Sequence, residues 1–181
     1  MNCPHCGEKV VTTRDSYKYI ESGLTNVWIS DCEIRKCSGC GREAPTLPEA
    51  RQLTILITYA LLRQRSKLDA DSVLFLRKAM GLTSAALAEC LEVSRGEVSR
   101  WENGRARIGD LSDFRLRYLA VKNLLPAELH QIVEREIDLI IRAKYSADPR
   151  FEPIRISTNA MTVLTSDSDP PSIDYRVTMA I

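Results

Sequence analysis

Two motifs of the same form, Cys3-Pro4-His5-Cys6-Gly7 and Cys37-Ser38-Gly39-Cys40-Gly41, fix what the N-terminal part of this chain can become. Thirty residues separate Cys6 from Cys37. In each motif a tight turn directs two thiols at one point, and the glycine can take the positive φ that aims backbone N–H groups at the sulfurs. Four thiolates suit a tetrahedral Zn²⁺ with a closed coordination shell; the same sulfurs can hold iron, and zinc is the reading adopted. A module of about 45 residues buries too little apolar surface to fold unaided. The ion therefore supplies much of its stability, roughly 10–16 kcal/mol in comparable peptides.

A redox dithiol is the competing reading of Cys-Pro-His-Cys, but such a motif needs a strand before it and a helix after it. Only two residues precede Cys3. His5 lies between two ligands, where the turn sends its ring outwards, so it reads as a surface residue. The remaining cysteines of the six, Cys32 and Cys90, read as packing residues, one in an alternating strand and one beside Leu87 and Leu91 on a helix. Unpaired thiols suit a reducing compartment. The start Met1-Asn2-Cys3-Pro4 has no export signal, and the longest nearly apolar run, Ile55 to Leu62, is too short for a bilayer span of roughly 20 residues. The expectation is a cytoplasmic, nucleoid-associated protein without a membrane partner.

Between the cysteine pairs, Val10 to Ile20 and Leu24 to Arg35 alternate around Glu21-Ser22-Gly23, which predicts a hairpin. Thr46-Leu47-Pro48-Glu49 has the form of a capping box, so a helix is expected from there to about Arg65, with Leu53, Leu56, Ile57, Ala60 and Leu61 on one face. Five helical signals follow. Asp69 caps Ala70 to Met80, with Leu68 and Val73 as a hydrophobic staple and Gly81 as the stop; Thr83 caps Ser84 to Leu91. Ser94 with Glu97 forms a capping box for a helix that Asn103-Gly104 ends; a fourth runs from about Leu111 to Asn123. Pro126 opens the fifth, where Leu129, Ile132, Val133, Ile137, Ile140 and Ile141 make an apolar stripe to about Lys144. Beyond Ala147 only short β-like runs remain, at Ile154 to Ser157, Met161 to Leu164 and Tyr175 to Ile181.

The net charge of +1 conceals a division: residues 51 to 125 carry 13 Lys+Arg against 8 Asp+Glu, whereas residues 126 to 181 carry 6 against 9. The middle segment is where a polyanion would bind.

That segment contains Leu82-Thr83-Ser84 through Ser99-Arg100-Trp101-Glu102-Asn103-Gly104, which resembles the helix-turn-helix of the Cro and phage-repressor (XRE) family. Leu82, Leu87, Ala88, Leu91, Val93, Val98 and Trp101 fall where two helices joined by a tight turn must be apolar. The resemblance places the second helix in the major groove, with Arg95, Gly96, Ser99 and Arg100 towards base edges and Thr83, Ser84, Arg105 and Arg107 towards phosphates. Trp101 is assigned to the core. Where Ser84 stands, the family usually has glutamine.

Taken with the cysteine knuckles, Phe75-Leu76-Arg77-Lys78 and the Ser99-to-Gly104 segment, residues 1 to 125 resemble the YgiT-type zinc-finger, MqsA-like regulators and antitoxins. The resemblance implies one structural Zn²⁺ on Cys3, Cys6, Cys37 and Cys40, a homodimer formed through the C-terminal part, and palindromic double-stranded DNA as partner. It also implies, in some members, neutralisation of an mRNA-cleaving toxin protein by the zinc domain. The base-reading arginine of that group matches Arg100, while an asparagine four residues earlier is replaced by Gly96.

The expected fold is mainly α with a small β, zinc-ribbon-like part. Its units are a four-cysteine zinc-binding domain at 1–45, a linker helix at 46–67, a helix-turn-helix domain at 68–125, a dimerisation helix at 126–145 and a tail at 146–181. The expected function is transcriptional regulation, with repression of its own or neighbouring genes, and no enzymatic activity.

Overall fold

The computed structural model describes residues 1–143 and 153–158. Strands β1 (Val10–Lys18) and β2 (Val27–Cys37) form an antiparallel hairpin running from Val10↔Cys37 to Lys18↔Trp28, with a 3₁₀ turn at Ile20–Ser22 as its tip. Val27 and Ile29 are buried, and so are Cys32 and Ile34, although strict alternation would put the second pair on the opposite face. A bulge reconciles them. Opposite the step from Asp15 to Tyr17, β2 takes an extra residue, with Asp31 in the left-handed region at φ 57°, and the shift returns all four side chains to one face.

Strand β3 (Glu43–Pro45) pairs with the cysteine-bearing end of β2, over Ile34 to Lys36. Along the same edge, β4 (Ile154–Ser157) pairs in parallel with Val27 to Ser30. The first β-like run of the tail is thus a strand of the N-terminal sheet. The runs at Met161 to Leu164 and Tyr175 to Ile181 lie outside the described residues.

Among the described residues six helices follow the hairpin: α1 (Ala50–Leu62), α2 (Ala70–Ala79), α3 (Ser84–Leu91), α4 (Arg95–Glu102), α5 (Asp110–Leu124) and α6 (Ala127–Arg142). The Asp69, Thr83 and Ser94 caps form as their sequences require. The expected capping box at Thr46 does not. Thr46 N–H donates to the Glu33 carbonyl at 2.7 Å, and its own carbonyl accepts from Cys32 Sγ at 3.6 Å. Pairing with β2 holds Thr46 to the sheet, so α1 begins only after Glu49, without a side-chain cap.

One contiguous core runs from Leu24 in the hairpin through α1 to Ile137 in α6 and Ile156 in β4. The far end of the hairpin is embedded in it, while the cysteine end projects from it. Within α6, Val133 and Ile137 are fully buried, and Leu129 and Ile141 pack against the core, so most of the stripe expected to meet a second copy covers the chain's own α5 and α1. Ion pairs fix it there: Arg63 with Glu136 at 2.7 Å and Lys122 with Glu134 at 2.6 Å. Ile132 and Leu139 stay 54% and 62% exposed.

Arg117 of α5 joins α1 to the helices beyond it. Fully buried with Asp113, it donates through Nε to that carboxylate at 2.7 Å. Its remaining donors reach the carbonyls of Leu62 at 2.8 Å, Gln64 at 3.1 Å and Ser66 at 2.7 Å, with a longer contact to Leu61. The Leu62, Gln64 and Ser66 carbonyls are ones that a helix end and its following loop leave without a backbone donor. Asp113 in turn accepts from Leu68 N–H at 2.8 Å. A five-donor planar guanidinium suits this task in a way an ammonium does not.

Candidate metal centre and nucleic-acid interface

The hairpin register brings the two cysteine motifs together, because Val10 faces Cys37 and an isolated bridge joins Asn2 to Lys9. Each motif closes in the same way. Gly7 N–H donates to the Cys3 carbonyl at 2.9 Å, and Gly41 N–H to the Cys37 carbonyl at 3.1 Å, with φ of 78° and 68° at the two glycines. Ser38 crosses between them, donating N–H and Oγ to the Lys9 carbonyl at 3.0 and 2.9 Å.

All four sulfurs lie within 4.8 Å of one another, with Cys6 Sγ 3.3 Å from Cys37 Sγ and Cys3 Sγ 3.8 Å from Cys40 Sγ. Around one tetrahedral ion with metal–sulfur bonds of about 2.3 Å, sulfurs sit about 3.8 Å apart. The donor set therefore fits a metal ion. Backbone N–H groups of His5 and Cys6 lower the Cys3 thiol, and the Cys40 N–H leads in lowering Cys37 to about 6. At Cys6 the Glu8 N–H also lowers, but the Cys37 thiol and desolvation outweigh it and push the group up to about 11. Four crowded thiols cannot all shed their protons beside one another; a divalent cation at their centre removes that opposition.

Gly39, which spacing alone does not single out, is needed for the approach of the two knuckles. A Cβ there would lie 2.6 Å from Glu8 Cγ and 2.9 Å from Glu8 Cβ. His5 is exposed and Cys32 buried, as expected. Cys90 is exposed, contrary to expectation. The buried stripe of α3 is Leu87, Ala88 and Leu91, and at 100° per residue Cys90 falls beyond its edge.

The second site is built by α3 and α4. Glu92, left-handed at φ 57°, turns the chain after α3, and Val93 N–H returns to the Ala88 carbonyl at 3.0 Å. Ser94 Oγ accepts from Glu97 N–H at 3.2 Å, while Glu97 Oε2 accepts from Ser94 N–H at 3.0 Å. That second bond, made by the Ser94 backbone, leads in lowering the Glu97 carboxyl. Val98 and Trp101 anchor α4 in the core, which leaves Arg95, Gly96, Ser99 and Arg100 together on its open side. Arg105 and Arg107 are exposed just beyond the helix, and Thr83 at the start of α3.

A family model described as Helix-turn-helix matches residues 75–110, from the middle of α2 to the first residue of α5. This segment is a helix-turn-helix. No curated protein and no solved structure matches the chain.

The orientation of the second helix of this helix-turn-helix rests on a pair that sequence periodicity does not display. Arg77 of α2 forms a two-pronged ion pair with Glu102, through Nε to Oε1 and through Nη2 to Oε2, and its Nη1 donates to the Leu82 carbonyl at 2.8 Å. The side chains are 14% and 9% exposed, so the pair is largely shielded from screening. Ser84 Oγ, placed on the phosphate side by sequence, donates to Glu102 Oε2 at 3.4 Å and is half-buried. Asn103 Nδ2 donates to the Ser99 carbonyl at 2.7 Å, closing the C-terminal end of α4.

Proposed function

We propose that this chain is a sequence-specific, DNA-binding transcriptional regulator. It binds a palindromic operator as a homodimer, represses its own or neighbouring genes, holds one structural Zn²⁺ at the four cysteines, and catalyses no reaction. The observation that carries this reading is the open face of α4, with Arg95, Gly96, Ser99 and Arg100 solvent-exposed on a helix fixed from behind by Val98, Trp101 and the Arg77–Glu102 pair. An arginine presented in this way offers two donors at once to guanine O6 and N7. Arg105, Arg107 and Thr83 flank it where the phosphate backbone passes.

The four sulfurs leave no open position for water, so the bound zinc would serve folding rather than reaction. Its ligands sit on the projecting end of the hairpin, away from the helix-turn-helix core. The exposed Ile132 and Leu139 on the outer side of α6 support that side as the contact between copies. Two copies would then address half-sites about one helical turn apart. No helix among the described residues is long and apolar enough to cross a membrane.

Fluorescence anisotropy on duplex DNA over a salt series tests the division of roles. Arg100→Ala is expected to lose roughly 1–3 kcal/mol of discrimination between preferred and unrelated duplexes while leaving the salt slope nearly intact. Arg105→Ala and Arg107→Ala should each reduce the slope by about 0.9 with preference retained. Equal effects of all three on slope and preference would overturn the assignment.

A further inference from the structure

The inner face of the four-stranded sheet is occupied by the core, and no described residue packs over its outer face. Direct strand partners point to the same side of a sheet, so the register Lys18↔Trp28↔Arg155 sets these three side chains in one row across β1, β2 and β4. Their neighbours Val27, Ile29, Ile154 and Ile156 are buried on the opposite side, which confirms that the row faces outward. Trp28 is partly exposed and Arg155 exposed, with Lys18 Nζ 5.8 Å from the centre of the Trp28 ring. Ser30, paired with Ser157, continues the face, followed by the Arg14↔Glu33 and Thr12↔Arg35 pairs. The face thus carries four cations, Lys18, Arg14, Arg35 and Arg155, and one carboxylate, Glu33, with Asp31 at the bulge beside it. In a chain whose net charge is only +1, two cations flank an aromatic ring and two more lie farther along the same face.

We infer that this outer sheet face is a binding site for single-stranded nucleic acid, separate from the duplex-reading helix α4. A basic face suits a polyanion, and an aromatic ring set between two of its cations suits a ligand that also presents flat apolar rings. Duplex DNA keeps its bases stacked inside and offers the sheet only phosphates. A single strand offers both, with bases that stack on Trp28 and phosphates that meet the cations on either side.

The tryptophan count makes the proposal measurable, since Trp101 is 6% exposed in the core and Trp28 alone is open to quenching by a stacked base. Zinc-loaded full-length protein would be titrated at low salt with oligo-dT and oligo-rU of about 12 nucleotides, following fluorescence and anisotropy. Binding with quenching is expected, with a salt slope of about −0.7 per phosphate met. Lys18→Ala combined with Arg155→Ala should weaken it at least tenfold and flatten the slope, and Trp28→Ala should weaken it about 5- to 150-fold, the range of one base stack. Should Trp28→Ala fold poorly, the charge double variant stands in its place. Arg100→Ala should leave single-strand binding unchanged. Preference for rU over dT, or the reverse, would identify the strand chemistry within the proposal. No binding at low salt, binding without quenching, loss on Arg100→Ala, or equal binding of a duplex of the same length with the same sensitivity to the double variant would each overturn it.

Discussion

Arg117→Ala exposes how the two ends of the molecule depend on each other. The substitution removes a fully buried guanidinium from Asp113, which is also fully buried, and frees the carbonyls of Leu62, Gln64 and Ser66 from their donors. Leaving one member of a buried pair without its partner costs about 3–5 kcal/mol, and the unpaired carbonyls can only add to that. Against a total stability of about 5–15 kcal/mol the loss is large. At roughly 2–4 °C per kcal/mol for a chain of this size, the melting temperature should fall by about 6–20 °C. Because the core is continuous from Leu24 to Ile156, the sheet and the helices should melt together. Circular dichroism and urea denaturation of the zinc-loaded protein would measure this. Arg117→Lys should rescue little of it, since an ammonium cannot span the carboxylate and three carbonyls at once. A loss below about 1 kcal/mol, as at an exposed ion pair, would refute the reasoning.

Other consequences can be measured alongside. Gly39→Ala forces a Cβ within 3 Å of Glu8; an overpacking cost of about 1–3 kcal/mol should appear as zinc binding weakened about 5- to 160-fold in competition with a chelator, and unaltered affinity would dismiss the close approach of the knuckles. Ending the chain at Ala143 removes β4 and with it the buried Ile154 and Ile156, each worth at most about 1.5–3 kcal/mol of burial. Hydrogen exchange at Val27 to Ser30 should then accelerate; unchanged protection would exclude the parallel pairing. The Glu97 carboxyl is lowered chiefly by the Ser94 N–H, so its contribution to the α4 cap is full above the unfolded value of about 4.3 and fades as pH falls through the folded one. Glu97→Gln should flatten that part of the acid stability profile, and a profile identical to that of the parent protein would deny the capping box this role.

Much of this architecture could be read along the chain because it is decided locally. Asp69, Thr83 and Ser94 each cap a helix within three residues of themselves, and the knuckle spacing places each pair of sulfurs by turn geometry, which the hairpin register then brings together. The failures have a common cause in contacts distant along the sequence. Thr46 has the sequence of a cap, but β2 claims its N–H, and Ile154 to Ser157 reads as a strand without revealing that Val27 to Ser30 is its partner. The Arg77–Glu102 and Arg117–Leu62 contacts link residues 25 and 55 apart, beyond any helical period. In α6 the apolar stripe is visible, but a stripe does not say whether its own domain or a second copy will cover it. At the candidate DNA interface the exposed set on α4 follows directly from its buried residues, because a short helix anchored by Val98 and Trp101 has only one side left to present.

Selection of bound sites from a random duplex library bears most directly on the central claim, that α4 reads base edges in the major groove. The zinc-loaded protein should enrich a motif containing a guanine whose preference disappears in Arg100→Ala while overall retention on DNA persists. Enrichment of no motif, or of the same motif by the parent protein and by a variant with Arg95, Ser99 and Arg100 all replaced by alanine, would contradict it.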